Sequence, residues 1–171
     1  MTTTRPSIPL SDSPDADRGE QTLLVFGLAG EAFALPVSTI HEVIDPLPVT
    51  PVPNAPPHAP GLINVRGIVT PVIDVRLRLR ITPADTVAGA GRIIVAELPV
   101  DGAITRLAIR ADAVHQVIEV DSAELETIPD LGARWPAQFV QGVARHDGSL
   151  VVLLDPQTLF APDNDRPASH P

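Results

Sequence analysis

The chain has no cysteine and no lysine, and aromatic residues make up only 3% of its 171 positions. Without cysteine there are no disulfides, no thiol chemistry and no thiolate metal ligands. Without lysine, Gly27, Gly30 and the Gly89-Ala90-Gly91 stretch cannot form a phosphate loop, which needs a Lys followed by Ser or Thr. So few aromatics leave almost no platform for stacking bases or sugars. Long apolar runs are also missing: Leu150 to Leu154 is typical, far short of the roughly 20 residues that cross a bilayer. No basic segment precedes an apolar stretch and a small-residue cleavage site, so the expected location is cytoplasmic. Cationic charge is scarce too. Against 21 acidic residues stand 12 basic ones, a formal charge of -9 that would repel a phosphate backbone.

What is present is β-rich. Short stretches of Val, Ile and Leu are punctuated by Ala29-Gly30, Arg66-Gly67, Asp101-Gly102 and Asp147-Gly148. The two Asp-Gly pairs predict hairpins, because this dipeptide readily takes the positive φ angles of a primed turn. Long amphipathic helix patterns are absent. Short helical turns are expected after Ser38 and Ser122, each a suitable N-cap, and across Val75 to Arg80. Residues 1–20 and 162–171, rich in Ser, Thr, Pro and Asp, are expected to be disordered tails around a 21–161 domain. Seven prolines between Pro46 and Pro60 argue for an extended connector or edge strand, since proline cannot donate a ladder hydrogen bond.

The chain also repeats itself. Ile40-His41-Glu42-Val43-Ile44 matches Val114-His115-Gln116-Val117-Ile118 at an offset of 114 - 40 = 74. Gly61, Gly67 and Asp74 recur as Gly142, Gly148 and Asp155 at an offset of 142 - 61 = 81, which puts an insertion at roughly 119–140. The two repeats, about 21–83 and 92–161, are each marginal alone. They are expected to form one barrel each, with possible strand exchange, packed over a shared apolar seam.

Candidate chemistry is sparse. Asp74 and Asp155 are repeat-equivalent and invite a proton-sharing aspartate dyad. Their followers, Val75-Arg76 and Pro156-Gln157, are not the Asp-Thr/Ser-Gly turn of such hydrolases, so each is expected to end a strand and cap the next helical turn. His41 and His115 are equivalent as well. With His41-Glu42 read on a helical turn, adjacent side chains diverge, and partly exposed structural histidines are expected rather than metal ligands. Ser38, Ser122 and Ser149 lie in no Gly-x-Ser-x-Gly elbow. The prediction is therefore no catalysis, no cofactor and no metal. Arg66, at the junction Asn64-Val65-Arg66-Gly67, has two readings: it pairs internally with Asp74 or Glu42, or it binds a partner.

The ordered string Leu24-Val25-Phe26, Ile40-x-Glu42-Val43-Ile44, Pro53-Asn54-Ala55-Pro56, Gly61-x-Ile63-Asn64-x-Arg66-Gly67 and Pro71-Val72-Ile73-Asp74-Val75-Arg76 resembles the CheW family. Asp112-x-Val114-x-x-Val117, Gly142 and Leu150 to Asp155 fit its second half. The resemblance covers about 21–160. It implies an all-β fold of two packed five-stranded SH3-like barrels, and a non-enzymatic adaptor between a chemoreceptor tip and the regulatory domain of a CheA-type histidine kinase. By matching motif positions, it implies that Ile40, Glu42, Gly61 and Arg66 lie on the receptor side and Val43 and Val49 on the kinase side. A module cut from a CheV-like or CheA-like parent, an aspartate-dependent hydrolase and a generic ligand-binding double barrel are the alternatives. High proline density before Gly61, and Phe33-Ala34 where the family often has an aromatic and a glycine, are departures from the pattern.

Overall fold

A computed structural model describes residues 19–81, 91–127 and 134–161. The expected tails, apart from Gly19 and Glu20, and the Gly89-Ala90 pair lie outside the described residues. The strands come in hairpins: β1 (Glu20–Leu28) with β2 (Glu31–Pro36), β5 (Gly61–Val65) with β6 (Ile68–Ile73), β7 (Arg92–Val100) with β8 (Ala103–Ala111), and β10 (Val140–His146) with β11 (Ser149–Leu154). Between them run β3 (Ile40–Ile44), β4 (Thr50–Pro51) and β9 (Ala113–Asp121). All four hairpins close through two residues of positive φ, so Ala29-Gly30 and Arg66-Gly67 are primed turns like the two Asp-Gly pairs. In a non-glycine residue that geometry costs roughly 1 kcal/mol, and Ala29 and Arg66 both bear it.

The strands form two sheets, β10-β11-β2-β1-β9 and β3-β7-β8-β6-β5-β4. Each takes its central hairpin from one repeat and its flanking strands from the other. Thus β9 lies against β1 and β3 against β7, while β11 joins β2, and β6 joins β8, in parallel. A hairpin cut free with its own repeat would lose both neighbours. The first sheet has the five strands expected of a barrel. The second has six, because Thr50–Pro51 pairs with β5 along the proline-rich connector, at an edge where missing donors are tolerated.

Three apolar clusters follow from this exchange. Leu23 and Val25 face inward with Ile118, Ala144 and Leu153, and fill the first barrel. Ile93 and Val95 do the same in the second, with Ile63, Val65, Val72 and Ala108. The residues between them in sequence, Leu24, Phe26 and Leu28 on β1 and Ile94, Ala96 and Leu98 on β7, meet in one core shared by both barrels. Strands buried on both faces cannot alternate with polar residues, which is why β1 and β7 read as continuous apolar runs.

Short helices cap the barrels. Asp74 opens α1 (Val75–Arg78) by accepting from the backbone N–H of Arg76 and Leu77, and Asp155 opens α2 (Pro156–Leu159) by accepting from Gln157. The two aspartates are therefore caps on separate helices, with α1 ending at Arg78 rather than Arg80. The serine caps are not realised. The 3-10 turn at Val37–Thr39 starts from Pro36 with no side-chain cap, and the one at Ser122–Glu124 is capped by Asp121. Ser122 instead donates its hydroxyl to the Gly19 carbonyl and accepts from Gln21.

Candidate functional site

His41 and Glu42 lie on strand β3, not on a helical turn. A bulge between Ile40 and Glu42 leaves His41 without a partner residue on β7. The equivalent bulge in β1–β9 leaves out His115, whose ring lies across Gly27, 2.9 Å from where a Cβ would stand there. Both histidines thus mark the same irregularity, which re-aims their side chains out of the strand. Among the described residues no three His, Asp or Glu side chains converge as metal ligands.

The bulge lines up a row of polar side chains across the second sheet. Arg106 on β8 pairs with Glu97 on β7 at 3.2 Å, His41 Nδ1 lies 3.3 Å from Glu97, and Arg66 reaches Glu42 at 3.1 Å. Glu42 accepts from both Nε and Nη2 of Arg66, so the guanidinium approaches it as a fork. Of the two internal acids considered for Arg66, Glu42 is the partner; Asp74 is engaged in capping α1. Glu42 is mostly buried, with 19% of its side chain exposed, whereas Arg66 is 78% exposed. Asn64 holds the turn by accepting from the N–H of Gly67 at 2.7 Å.

The six anticipated site residues all belong to this sheet or its connector. Ile40 packs on the shared core and Val49 on the core of the second barrel. Val43 projects outward and is 39% exposed. Gly61 is buried beneath the connector, where a Cβ would fall 2.5 Å from the Thr50 carbonyl oxygen and 2.6 Å from Val49 Cγ1. Gly61 and Val49, expected on different sides, are therefore neighbours. Gly61→Ala is expected to push β4 off β5 at a cost of about 2 kcal/mol. For a chain of this size that lowers the melting temperature by roughly 4–8 °C, measurable by circular dichroism; an unchanged melt would mean the connector is not held there.

Sequence reasoning missed the apolar tip beside Arg66. Ile68, Val69 and Ile104 are exposed at 46%, 65% and 68%. Ile68 and Ile104 lie equally far upstream of the paired Val72 and Ala108, so the parallel pairing of β6 and β8 brings the two hairpin tips to one end of the barrel. Local sequence holds no signal for that pairing.

A family model for the CheW-like domain matches residues 22–163. The chain belongs to the CheW-like family. It is 27% identical over 145 residues to a probable chemotaxis protein CheW of Rhizobium etli, covering 85% of this chain and 90% of that one. A chemotaxis protein CheW of Rhizobium meliloti is 26% identical over 151 residues, covering 88% and 94%. The crystal structure of the scaffolding protein TtCheW from Thermoanaerobacter tengcongensis superposes with a TM-score of 0.73 at 28% identity, over 95% of this chain and 96% of that one. The function of this CheW-like chain is coupling and scaffolding in chemotaxis. No helix among its described residues is long and apolar enough to cross a membrane.

Proposed function

We propose that the chain is a non-enzymatic adaptor that holds the cytoplasmic tip of a chemoreceptor and the regulatory domain of a CheA-type histidine kinase, in the cytoplasm beside membrane-bound receptors. Membership of a scaffold family supports this reading. The observation that carries the site is Arg66, kept 78% exposed in a positive-φ turn and aimed by a mostly buried glutamate. A guanidinium so placed presents its remaining donors outward, beside the apolar Val69 and Ile104, to a carboxylate or carbonyl on a partner helix. Ile40, packed on the shared core, and Glu42 back that surface as the receptor side, and Gly61, assigned to the same side, lies at the other end of β5 beneath the connector. The kinase side is assigned to Val43, whose side chain is free on the outer face of β3, with Val49 shaping the connector behind it.

Arg66→Ala separates this reading from a purely structural role. Exposed ion pairs contribute about 0–1 kcal/mol, so the melting temperature should move by only a few degrees. Affinity for a soluble receptor cytoplasmic fragment should fall about tenfold, the loss of one charge-assisted contact, with affinity for the kinase regulatory domain unchanged. Calorimetric titrations of the same variant with both partners decide it. Equal loss of both partners together with a large melting shift, or an unchanged receptor affinity, would remove Arg66 from the receptor surface.

A further inference from the structure

At the end of the second barrel opposite the Arg66 turn, a cleft of about 470 Å³ opens between the connector, α1 and the ends of β7 and β8. Its floor is apolar: Val49, Val72 and Ile93 belong to, or pack on, the core of that barrel. Three arginines, Arg76, Arg92 and Arg110, line it in a chain whose formal charge is -9. Volume and setting are those of a ligand site, since small molecules bind in clefts of roughly 300–1,000 Å³ and often in barrel mouths.

Of the acids lining the cleft, Asp112 neutralises Arg76, and neither Asp112 nor Asp74 pairs with Arg92 or Arg110. Asp74 is engaged by the backbone N–H groups of α1. Asp112 accepts from Arg76 with one oxygen and from the Ala29 N–H, at 2.7 Å, with the other. Arg92 pairs with Asp45, which stands outside the cleft and is 86% exposed, a contact that water screens and another carboxylate can replace. The side chain of Arg110 has no hydrogen bond or ion pair with any described residue. It is paired in register opposite Ile93 and shares a face of β8 with the buried Ala108, so its stem rises from the barrel's inward row and its guanidinium crowns the mouth.

We propose that this mouth binds a carboxylate carried on an apolar stem, the stem lying on Val49, Val72 and Ile93 and the carboxylate held by Arg110 with Arg92. A planar guanidinium matches a carboxylate in two parallel hydrogen bonds, and the apolar floor favours an aliphatic acid or a glutamate flanked by apolar residues over a bare inorganic ion. A free aliphatic acid and an acidic side chain on a partner chain present the same chemistry.

Amide chemical-shift titration of the full chain tests the site with two probes, pentanoate and the blocked peptide Ala-Leu-Glu-Leu-Ala. Pentanamide and the Gln version of the peptide serve as neutral controls. Saturable shifts confined to the ends of β7 and β8, α1 and the connector are expected for at least one carboxylate probe, with affinity at least about fivefold weaker for its neutral control and for Arg110→Gln. Saturation by pentanoate alone assigns the site to a small acid, and by the peptide alone to a partner's side chain. Neutral and charged probes of equal affinity, an Arg110→Gln variant that binds as the parent does, or no saturable shift with either carboxylate would overturn the proposal. So would an Arg110→Gln variant that loses melting temperature while keeping its affinity, because Arg110 would then be structural.

Discussion

Replacing Asp112 by alanine is expected to destabilise the chain by about 3 kcal/mol, although Asp112 touches neither anticipated partner surface. Asp112 sits where the chain leaves β8 of the second sheet and enters β9 of the first. Its N–H donates to the Gly27 carbonyl at 2.9 Å, and its carboxylate takes the Ala29 N–H and the Arg76 guanidinium. Both charged side chains are only 20% exposed. Removing the carboxylate leaves a mostly buried guanidinium unpaired and the Ala29 N–H without its acceptor, and orphaning one member of such a pair costs more than the pair contributes. The parent and Asp112→Ala should both unfold in a single urea transition, the variant at a lower midpoint with an unchanged slope. The double variant Arg76→Met with Asp112→Leu should recover at least half of the loss, since it buries no lone charge. A variant within about 0.5 kcal/mol of the parent would show that the junction between barrels does not depend on this carboxylate.

Phe33→Ala should cost more, about 4 kcal/mol. Phe33 is fully buried in β2, paired with Phe26 on β1 and Val152 on β11. Its ring lies 6.3 Å from that of Phe26 and meets Trp135 edge-on at 5.6 Å. Truncation leaves a cavity in the core shared by both barrels, where exchanged strands on every side hinder collapse. It also removes two aromatic contacts worth roughly 0.5–1.5 kcal/mol each. A fall in melting temperature of roughly 8–16 °C follows from that cost for a chain of this length. The chain has a single tryptophan, so a red shift in its emission reports the same cavity independently. Loss of less than 1 kcal/mol with unchanged emission would place Phe33 outside the core that holds the barrels together.

Much of this fold is legible in local residues because it is locally determined. Each Gly-containing turn forces a hairpin at its own position, and Asp74 and Asp155 cap helices within three residues of themselves. The matches between Ile40–Ile44 and Val114–Ile118 mark equivalent strands, down to the histidine left over at each bulge. At Ser122 the expected cap failed because one residue of shift changes the capping group: Asp121, one position earlier, had the oxygen in reach, whereas the turn that contains Ser38 starts from Pro36 with no side-chain cap. Reading His41 and Glu42 on a helical turn failed because five residues cannot distinguish a strand from a turn by period alone.

The sequence by itself determined the strand-rich class, the positions of the turns and the two-fold repeat, because each depends on backbone preferences or on a pattern written along the chain. Only the tertiary structure decided which repeat's strands lie side by side, that Arg66 finds Glu42 rather than Asp74, and that Ile104 joins Ile68 and Val69 at one barrel end. It alone brought three arginines to the other end. Those outcomes depend on pairing between strands far apart in the chain. There the burial of β1 and β7 on both faces selects the partner, and no single strand carries that information.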